Sequence, residues 1–328
     1  MIYVLLIVGF ILLIKGADYF VEGSASIAKI FKVPPVIIGL TIVAMGTSAP
    51  ETAVSISAAL KGANAISVSN IIGSNFFNLL VVVGVCAVLS RVVVTDDILK
   101  RDFPFSIAVT VLFCAMLFIE MFFISKNGDP GLNRIDGIIL LLIFAYYLYV
   151  LISSALKARK NSSGEEVVHH HTIPVSILFI LGGLAGVVLG GDMVVNNAKA
   201  IAKTFGMSDT LIGLTIVAVG TSLPELVTSF VAAKKGETEM ALGNVVGSNV
   251  FNIMFVLGIS ATLMPINLSD KLAALDAGIL LLVNIIVLLM VVRDKTLSKA
   301  NGALMILIYV AYTAFIIYRN YYPISVFM

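Results

Sequence analysis

The chain has 328 residues, 59 % of them hydrophobic and 12 % charged, with a net charge of +2 and a mean hydropathy of +1.08. A soluble domain carries about 25 % charged residues, so an ordinary water-soluble globule is excluded. Apolar runs near or above 18 residues recur from end to end and are continuous, not alternating, which reads as an all-α polytopic membrane protein and excludes a β-barrel.

Five spans are predicted in the first half, at 2–24, 35–60, 66–89, 103–124 and 134–156. The first has no basic n-region and no Ala-x-Ala type cleavage site, so it reads as a span and not as a signal peptide. The second contains "AMGTSAPETAVS" (44–55), which puts Pro50 and Glu51 inside an apolar run. The third contains "NIIGSNFFN" (70–78). Cys86 and Cys114 fall inside spans with no ligand spacing or disulfide framework, and read as packing residues.

The connector "KARKNSSGEEVVHHHT" (157–172) is the only long polar stretch, and it divides the chain into a half at 1–156 and a half at 173–328. Five more spans follow, at 173–198, 209–233, 239–264, 272–292 and 300–319, which makes ten. The halves repeat: "IGLTIVAMGTSAPE" (38–51) matches "IGLTIVAVGTSLPE" (212–225), and "NIIGSNFFN" matches "NVVGSNVFN" (244–252), both at an offset of 174 residues. The weaker pair 16–29 and 190–203 keeps that offset. An odd number of spans per half inserts the second copy upside down, and such inverted repeats mark secondary transporters with a site near the midplane.

Thirteen Lys and Arg residues, including Lys29, Lys100, Arg159, Lys235 and Lys295, fall in one set of loops, against seven in the other set and the C-terminus. By the positive-inside bias both termini are expected outside, with 157–172 in the cytoplasm.

A carboxylate at the centre of a spanning helix costs about 2.5–3.5 kcal/mol on insertion scales. The plain explanation is a neighbouring cation, but no Lys or Arg lies mid-span beside either motif, and Lys15 has Leu189 as its counterpart. Thr47, Glu51 and Ser55 share a helix face at i, i+4, i+8, as do Thr221, Glu225 and Ser229. Asn70, Ser74 and Asn78 form a similar stripe, repeated by Asn244, Ser248 and Asn252. Such stripes often only glue helices together, but here they accompany an unpaired acid in duplicate. Pro50 predicts a kink or break that frees carbonyls around Ala44 to Gly46, with Ala218 to Gly220 as the second set. Free carbonyls at membrane depth belong where they line a cavity or bind something. The glycines at 46, 73, 220 and 247 are expected to allow close helix approach.

The donor set is therefore oxygen alone: carboxylate, hydroxyl, amide and backbone carbonyl. Hard oxygen ligands suit Ca²⁺, Mg²⁺ or Na⁺. A flexible cage of many oxygens favours calcium over magnesium, and two carboxylates balance one divalent ion. Residues alone reach a secondary transporter of Ca²⁺ or Na⁺, and leave the coupling open. A proton-coupled calcium exchanger and a passive cation channel are the alternatives. An intramembrane enzyme is unsupported, because the repeated block holds no catalytic serine–histidine or cysteine–histidine set.

These motifs resemble the α1 and α2 repeats of the calcium/cation antiporter superfamily, most closely its sodium/calcium exchanger branch, over essentially the whole chain. The resemblance implies a calcium site flanked by sodium sites, no cofactor, no protein partner, and sodium entry driving calcium extrusion. It implies Glu51 and Glu225 as central calcium ligands shared with sodium. Thr47, Thr221 and the Ala44 and Ala218 carbonyls would complete the shell, the carbonyls serving sodium as well. Ser48, Ser74, Ser222 and Ser248 would serve sodium, and Asn78 and Asn252 would line the centre. The first and sixth spans would be the loosely packed helices that slide. Some relatives, including the potassium-dependent exchangers, carry an aspartate where this chain has Asn252, which weakens the case for potassium co-transport. The central loop, about sixteen residues, is too short for a regulatory domain.

Outside the motif, the histidines at 169–171 read as a solvated loop. Asp18 and Asp192 recur at the 174 offset and could line an ion path or meet interfacial water. Asp96, Asp97, Asp129, Asp136, Asp270 and Asp276 read as solvated.

Overall fold

The computed structural model describes residues 2–124, 130–161, 171–205, 218–268 and 272–321. Nearly all of them are helical. In the first half the helices are α1 (Ile2–Phe31), α2 (Pro35–Thr47), α3 (Ala49–Leu60), α4 (Ile66–Leu89), α5 (Ile98–Phe123) and α6 (Arg134–Asn161). In the second they are α7 (Ile173–Thr204), α8 (Ala218–Thr221), α9 (Leu223–Lys234), α10 (Thr238–Leu263), α11 (Leu272–Val292) and α12 (Lys299–Tyr321). Among the described residues eight helices are long and apolar enough to cross a membrane, and the bent pair α2–α3 makes nine. The predicted span at 209–233 is described only from Ala218, so residues 209–217, with the second copy of "IGLTIV", lie outside the described residues.

α4 and α10 are the most deeply buried spans, with α1, α6, α7 and α12 around them. Two short antiparallel ribbons clip the loops together: β1 (Val92–Val93) pairs with β4 (Thr296–Leu297), and β2 (Gly131–Leu132) with β3 (Ile266–Asn267). They flank the two ends of α5, so one sits at each face of the bundle. α6 starts where Asn133 accepts the N–H groups of Ile135 and Asp136 while Asp136 accepts that of Asn133, a reciprocal cap that sets its first turn.

α1 and α7 run past their predicted ends at residues 24 and 198. At about 1.5 Å per residue each is about 45 Å long, beyond a hydrocarbon core of about 30 Å. Polar residues in the second half of α1 find partners in neighbouring elements. Lys235 reaches Asp18 at 2.7 Å and Glu22 at 3.2 Å, His171 bonds Glu22 at 2.8 Å, Ser176 donates to Ser26 at 2.9 Å, and Lys29 lies 3.9 Å from Glu237. His171 is therefore a packed residue and not part of a solvated loop, while His169 and His170 lie outside the described residues. Asp18 is a clasp between α1 and the α9–α10 turn; Asp192, its counterpart, is exposed.

Asp276 also departs from expectation. It lies inside α11, about 9 % exposed, and holds Arg319 of α12 through two bonds of 2.7 and 2.5 Å. Its sequence position beside a loop suggested solvent, but α12 packs alongside and brings Arg319 to it. Asp102, fully buried at the start of α5, binds the adjacent Arg101, which also donates to Ser154 of α6 at 3.1 Å. Asp96 is exposed, as expected; hydrogen bonds from Lys295 and Lys100 hold its carboxyl below the ordinary aspartate range. Asp129 and Asp270 lie outside the described residues.

Removing one member of a buried ion pair leaves the other uncompensated and costs about 3–5 kcal/mol. Asp276→Leu is accordingly expected to lower the unfolding midpoint in detergent substantially. The double variant with Arg319→Leu should recover most of the loss, because no stranded charge remains. Equal destabilisation by the single and double variants would count against this role.

Candidate cation site

The site forms where α2 ends and α3 begins. Ser48 leaves the helix (φ −81°, ψ 12°), and the axes of α2 and α3 diverge by 50°. Ser222 repeats the break between α8 and α9 (φ −91°, ψ 7°). Pro50 and Pro224 then sit in the first turn of the following helix, where a missing N–H costs nothing. The break therefore falls two residues before the proline. The expectation of a free Ala44 carbonyl is corrected here: it accepts the Ser48 N–H at 3.0 Å, so only its second lone pair is available. The carbonyl that loses its helical donor to Pro50 is that of Gly46. Each break also places the acid, Glu51 or Glu225, in a first helical turn, where the positive dipole end favours an anion.

Glu51 and Glu225 are both fully buried, at 0 % exposure. Neither has a Lys or Arg within ion-pairing distance among the described residues, and Lys15 is exposed on α1. Their hydrogen bonds come instead from hydroxyls, and the bonds cross between repeats. Ser48 donates to Glu225 Oε1 at 2.8 Å; Ser222 donates to Glu51 Oε1 at 3.0 Å. Ser74 adds a longer bond to Glu51 Oε1 at 3.4 Å. The second oxygen of each carboxylate, Oε2, is buried with no hydrogen-bond partner.

The remaining motif residues converge on the same region. Thr47, Ala44, Asn78, Ser248 and Asn252 are essentially fully buried, and Thr221 is 8 % exposed. Ala218 opens α8, and its side chain falls outside the described set. Ser248 Oγ, both amide atoms of Asn78 and Oδ1 of Asn252 are further buried polar atoms without a partner. Buried polar groups are nearly always hydrogen-bonded, so this concentration of unpartnered polar atoms, most of them oxygens, beside two unpaired acids is what a cation-binding cage requires. α4 and α10 carry π-helical turns beside Asn78 and Asn252, at Phe77–Val82 and Asn252–Val256, a distortion frequent at functional sites.

Two asparagines unassigned from the sequence join the halves directly. Asn75 Nδ2 donates to the Asn249 carbonyl at 3.2 Å, and Asn249 Nδ2 donates to the Asn75 carbonyl at 3.3 Å. Residue i contacting j while j contacts i in the same way is the pattern of a twofold contact. Asn252 Nδ2 also donates to Asn75 Oδ1 at 3.1 Å. The available signal was the repetition of both asparagines, one residue after each "GS", at the common offset.

Glycines bring the elements together, though not all those expected. A Cβ on Gly39 would stand 2.5 Å from the Met240 carbonyl, and one on Gly243 would stand 2.6 Å from that of Val36. One on Gly247 would meet Leu40 at 2.7 Å. α2 therefore lies directly on the backbone of α10. Gly46 faces Leu184 of α7 and Phe20 of α1, so these two long helices cover the first break.

A membrane bundle with two broken helices and a buried, oxygen-only site holding two unpaired carboxylates defines a transporter of hard cations. The sequence profile described as sodium/calcium exchanger protein matches residues 1–153 and 175–318, and the chain belongs to that family. It is 38 % identical to a putative antiporter, CaxA, from Alkalimonas amylolytica, over 94 % of this chain and 96 % of the relative. It is 33 % identical to the sodium/calcium exchanger MaX1 from Methanosarcina acetivorans, over 96 % and 98 %. A solved structure of the sodium-calcium exchanger NCX_Mj superposes with a TM-score of 0.82 at 31 % identity, covering 95 % of this chain and 97 % of that one. Membership places the protein among cation/calcium antiporters, which are transporters and not enzymes.

Proposed function

We propose that the protein exchanges extracellular Na⁺ for cytoplasmic Ca²⁺ across the cell membrane by alternating access. The observation that carries this reading is the pair of fully buried carboxylates with no Lys or Arg partner among the described residues, each hydrogen-bonded by the other repeat's serine. Calcium would bind Glu51 and Glu225 with Thr47, Thr221 and the Ala44 and Ala218 carbonyls. Sodium would share the carboxylates and carbonyls and use Ser48, Ser74, Ser222 and Ser248, with Asn78 and Asn252 lining the centre. The fold is ten spanning helices in two inverted five-helix repeats, with both termini outside and 157–172 in the cytoplasm. Reciprocal contacts at the 174 offset support the inversion, and the loop charge bias supports the orientation.

Charge arithmetic then fixes an electrical signature. The two ionised glutamates carry −2; one calcium ion brings the site to zero, and three sodium ions bring it to +1. Exchange of three sodium ions for one calcium moves net charge and responds to voltage.

The test is calcium uptake into proteoliposomes loaded with sodium, with membrane current recorded in parallel. Uptake driven by the sodium gradient, with current of the sign that sodium exit for calcium entry requires, is expected. Uptake driven by a pH gradient instead would make the protein a proton-coupled exchanger. Calcium flux with no counter-ion requirement would make it a channel. Exchange without current would exclude the three-to-one stoichiometry.

A further inference from the structure

We propose that Asn244 and Asn70 are positioning residues that orient the hydroxyls of Thr47 and Thr221 toward the ion through two crossed hydrogen-bond relays. The proposal rests on the reading above that these threonines are calcium ligands. One relay starts on the backbone of α10. The Ala241 carbonyl accepts from Ser229 Oγ at 3.4 Å, Ser229 Oγ accepts from Asn244 Nδ2 at 2.9 Å, and Asn244 Oδ1 accepts from Thr47 Oγ1 at 3.1 Å. The other repeats it at the 174 offset. The Ser67 carbonyl accepts from Ser55 at 3.5 Å, Ser55 from Asn70 Nδ2 at 3.0 Å, and Asn70 Oδ1 from Thr221 at 3.4 Å.

The direction of each relay is set by proton counting. An amide has a donating and an accepting end of nearly equal shape, so its surroundings decide which way it faces. Ser229 commits its one proton to a carbonyl and can only accept from the asparagine, which draws the NH₂ end toward it. The carbonyl end then faces Thr47. Two oxygens 3.1 Å apart need a proton between them, and only the threonine owns one. Thr47 also lies 3.1 Å from the Val43 carbonyl and 3.4 Å from that of Ala44, so neutral carbonyls stand beside Asn244 as acceptors of its proton. What the hydroxyl keeps for a cation is its lone pairs.

Asn244 and Ser229 are fully buried, one layer behind the carboxylates, and neither has an orphaned side-chain atom. They are supports, not ligands. The close approach of Gly39 to Gly243 brings Thr47 within reach of Asn244. Each relay lies in one half and orients a ligand on the other, so the calcium shell is complete only while the two halves are packed together.

A hydrogen bond of this kind contributes about 0.5–1.5 kcal/mol net, or about two- to twelvefold in a binding constant. The test is a double-mutant cycle on the full-length protein in proteoliposomes, reading half-saturation for radioactive calcium in sodium-dependent exchange. Thr47→Val and Asn244→Leu are each expected to weaken half-saturation, Asn244→Leu by about three- to tenfold. The double variant should be no weaker than the worse single one, because Asn244 acts through Thr47. Ser229→Ala should act in the same direction, and Ser229→Thr, which keeps the hydroxyl, should restore the native value. Ser229→Ala also carries the cycle if Asn244→Leu does not fold. Multiplying effects in the double variant would overturn the relay and leave Thr47 as a ligand. A Thr47→Val protein with native calcium dependence would overturn the relay and remove Thr47 from the site. Glu51→Gln, measured alongside, tells whether the site reading itself stands.

Discussion

Glu51→Gln and Glu225→Gln each remove calcium exchange, with calcium affinity lowered at least about a hundredfold, while the ion-free protein remains as stable as the native one. The two halves of that expectation have the same origin. Both carboxylates are fully buried and neither has a cationic partner among the described residues. A buried charge that loses its counter-charge costs about 3–5 kcal/mol, which is about two to three and a half decades in affinity. Glutamine has nearly the same shape, so packing is kept, but it replaces one oxygen with an NH₂ group that points protons into the cage. Without ions, two buried acids that are both ionised repel each other, so removing one does not weaken the fold. The measurement is the unfolding midpoint with and without calcium, beside sodium-dependent uptake. Calcium should raise the native midpoint, because a ligand bound only by the folded state stabilises it. It should leave both variants unmoved. A glutamine variant that still gains thermal stability from calcium and still exchanges would remove these two acids from the site.

Gly16→Ala or Gly190→Ala slows exchange by about tenfold or more with smaller changes in calcium affinity. α1 and α7 lie against each other backbone to backbone. A Cβ on Gly16 would stand 2.6 Å from the Val187 nitrogen and 2.8 Å from the Gly183 carbonyl; one on Gly190 would stand 2.5 Å from the Leu13 nitrogen. Backbone cannot move aside as a side chain can, so a single methyl group forces the two helices apart. Overpacking of this order costs about 1–3 kcal/mol. These helices bury only a narrow face within the bundle, yet they reach over the first break through Phe20 and Leu184. The strain therefore falls on the pair that covers the site, and not on α4 and α10, which carry the asparagines and serines behind it. The turnover rate and the calcium half-saturation of uptake, measured separately, check this. A native rate in both alanine variants would show that the glycine seam does not matter for transport. A loss of calcium binding equal to the loss of rate would place the damage in the cage.

Much of the site was legible before any coordinates, because a membrane leaves little room for accident. An acid and a proline inside an apolar run stand out where polar groups are expensive. Their recurrence at one fixed offset removed chance as an explanation. Glu51, Thr47 and Ser74 could be chosen with their mates on those grounds, and Ser48 and Ser222 from the family resemblance; the structure brings them together in one buried region. The family follows from the same residues.

Other features were not legible, for a different reason. Hydropathy reports distance from water along the chain and says nothing of which faces meet. Asp276 looked like a loop residue because its partner, Arg319, is 43 positions away and only helix packing joins them. Helix α1 runs past the span predicted to end at residue 24, where Ser26 meets Ser176 and Lys29 meets Glu237, partners that hydropathy does not place beside it. The break was expected at the proline's clash and falls instead at Ser48, because the chain can restart a helix with proline in its first turn at no cost.

The sequence by itself determined the class of protein, the duplication and the oxygen-only chemistry, since composition, periodicity and spacing are properties of one strand. Only the tertiary structure decided which hydroxyl serves which acid. Ser48 bonds Glu225 and not Glu51, and Thr47 reaches Asn244 and not Asn70, because hydrogen bonds are fixed by distances of about 3 Å between atoms. Those distances arise when the two halves close on each other, with glycines letting the backbones meet.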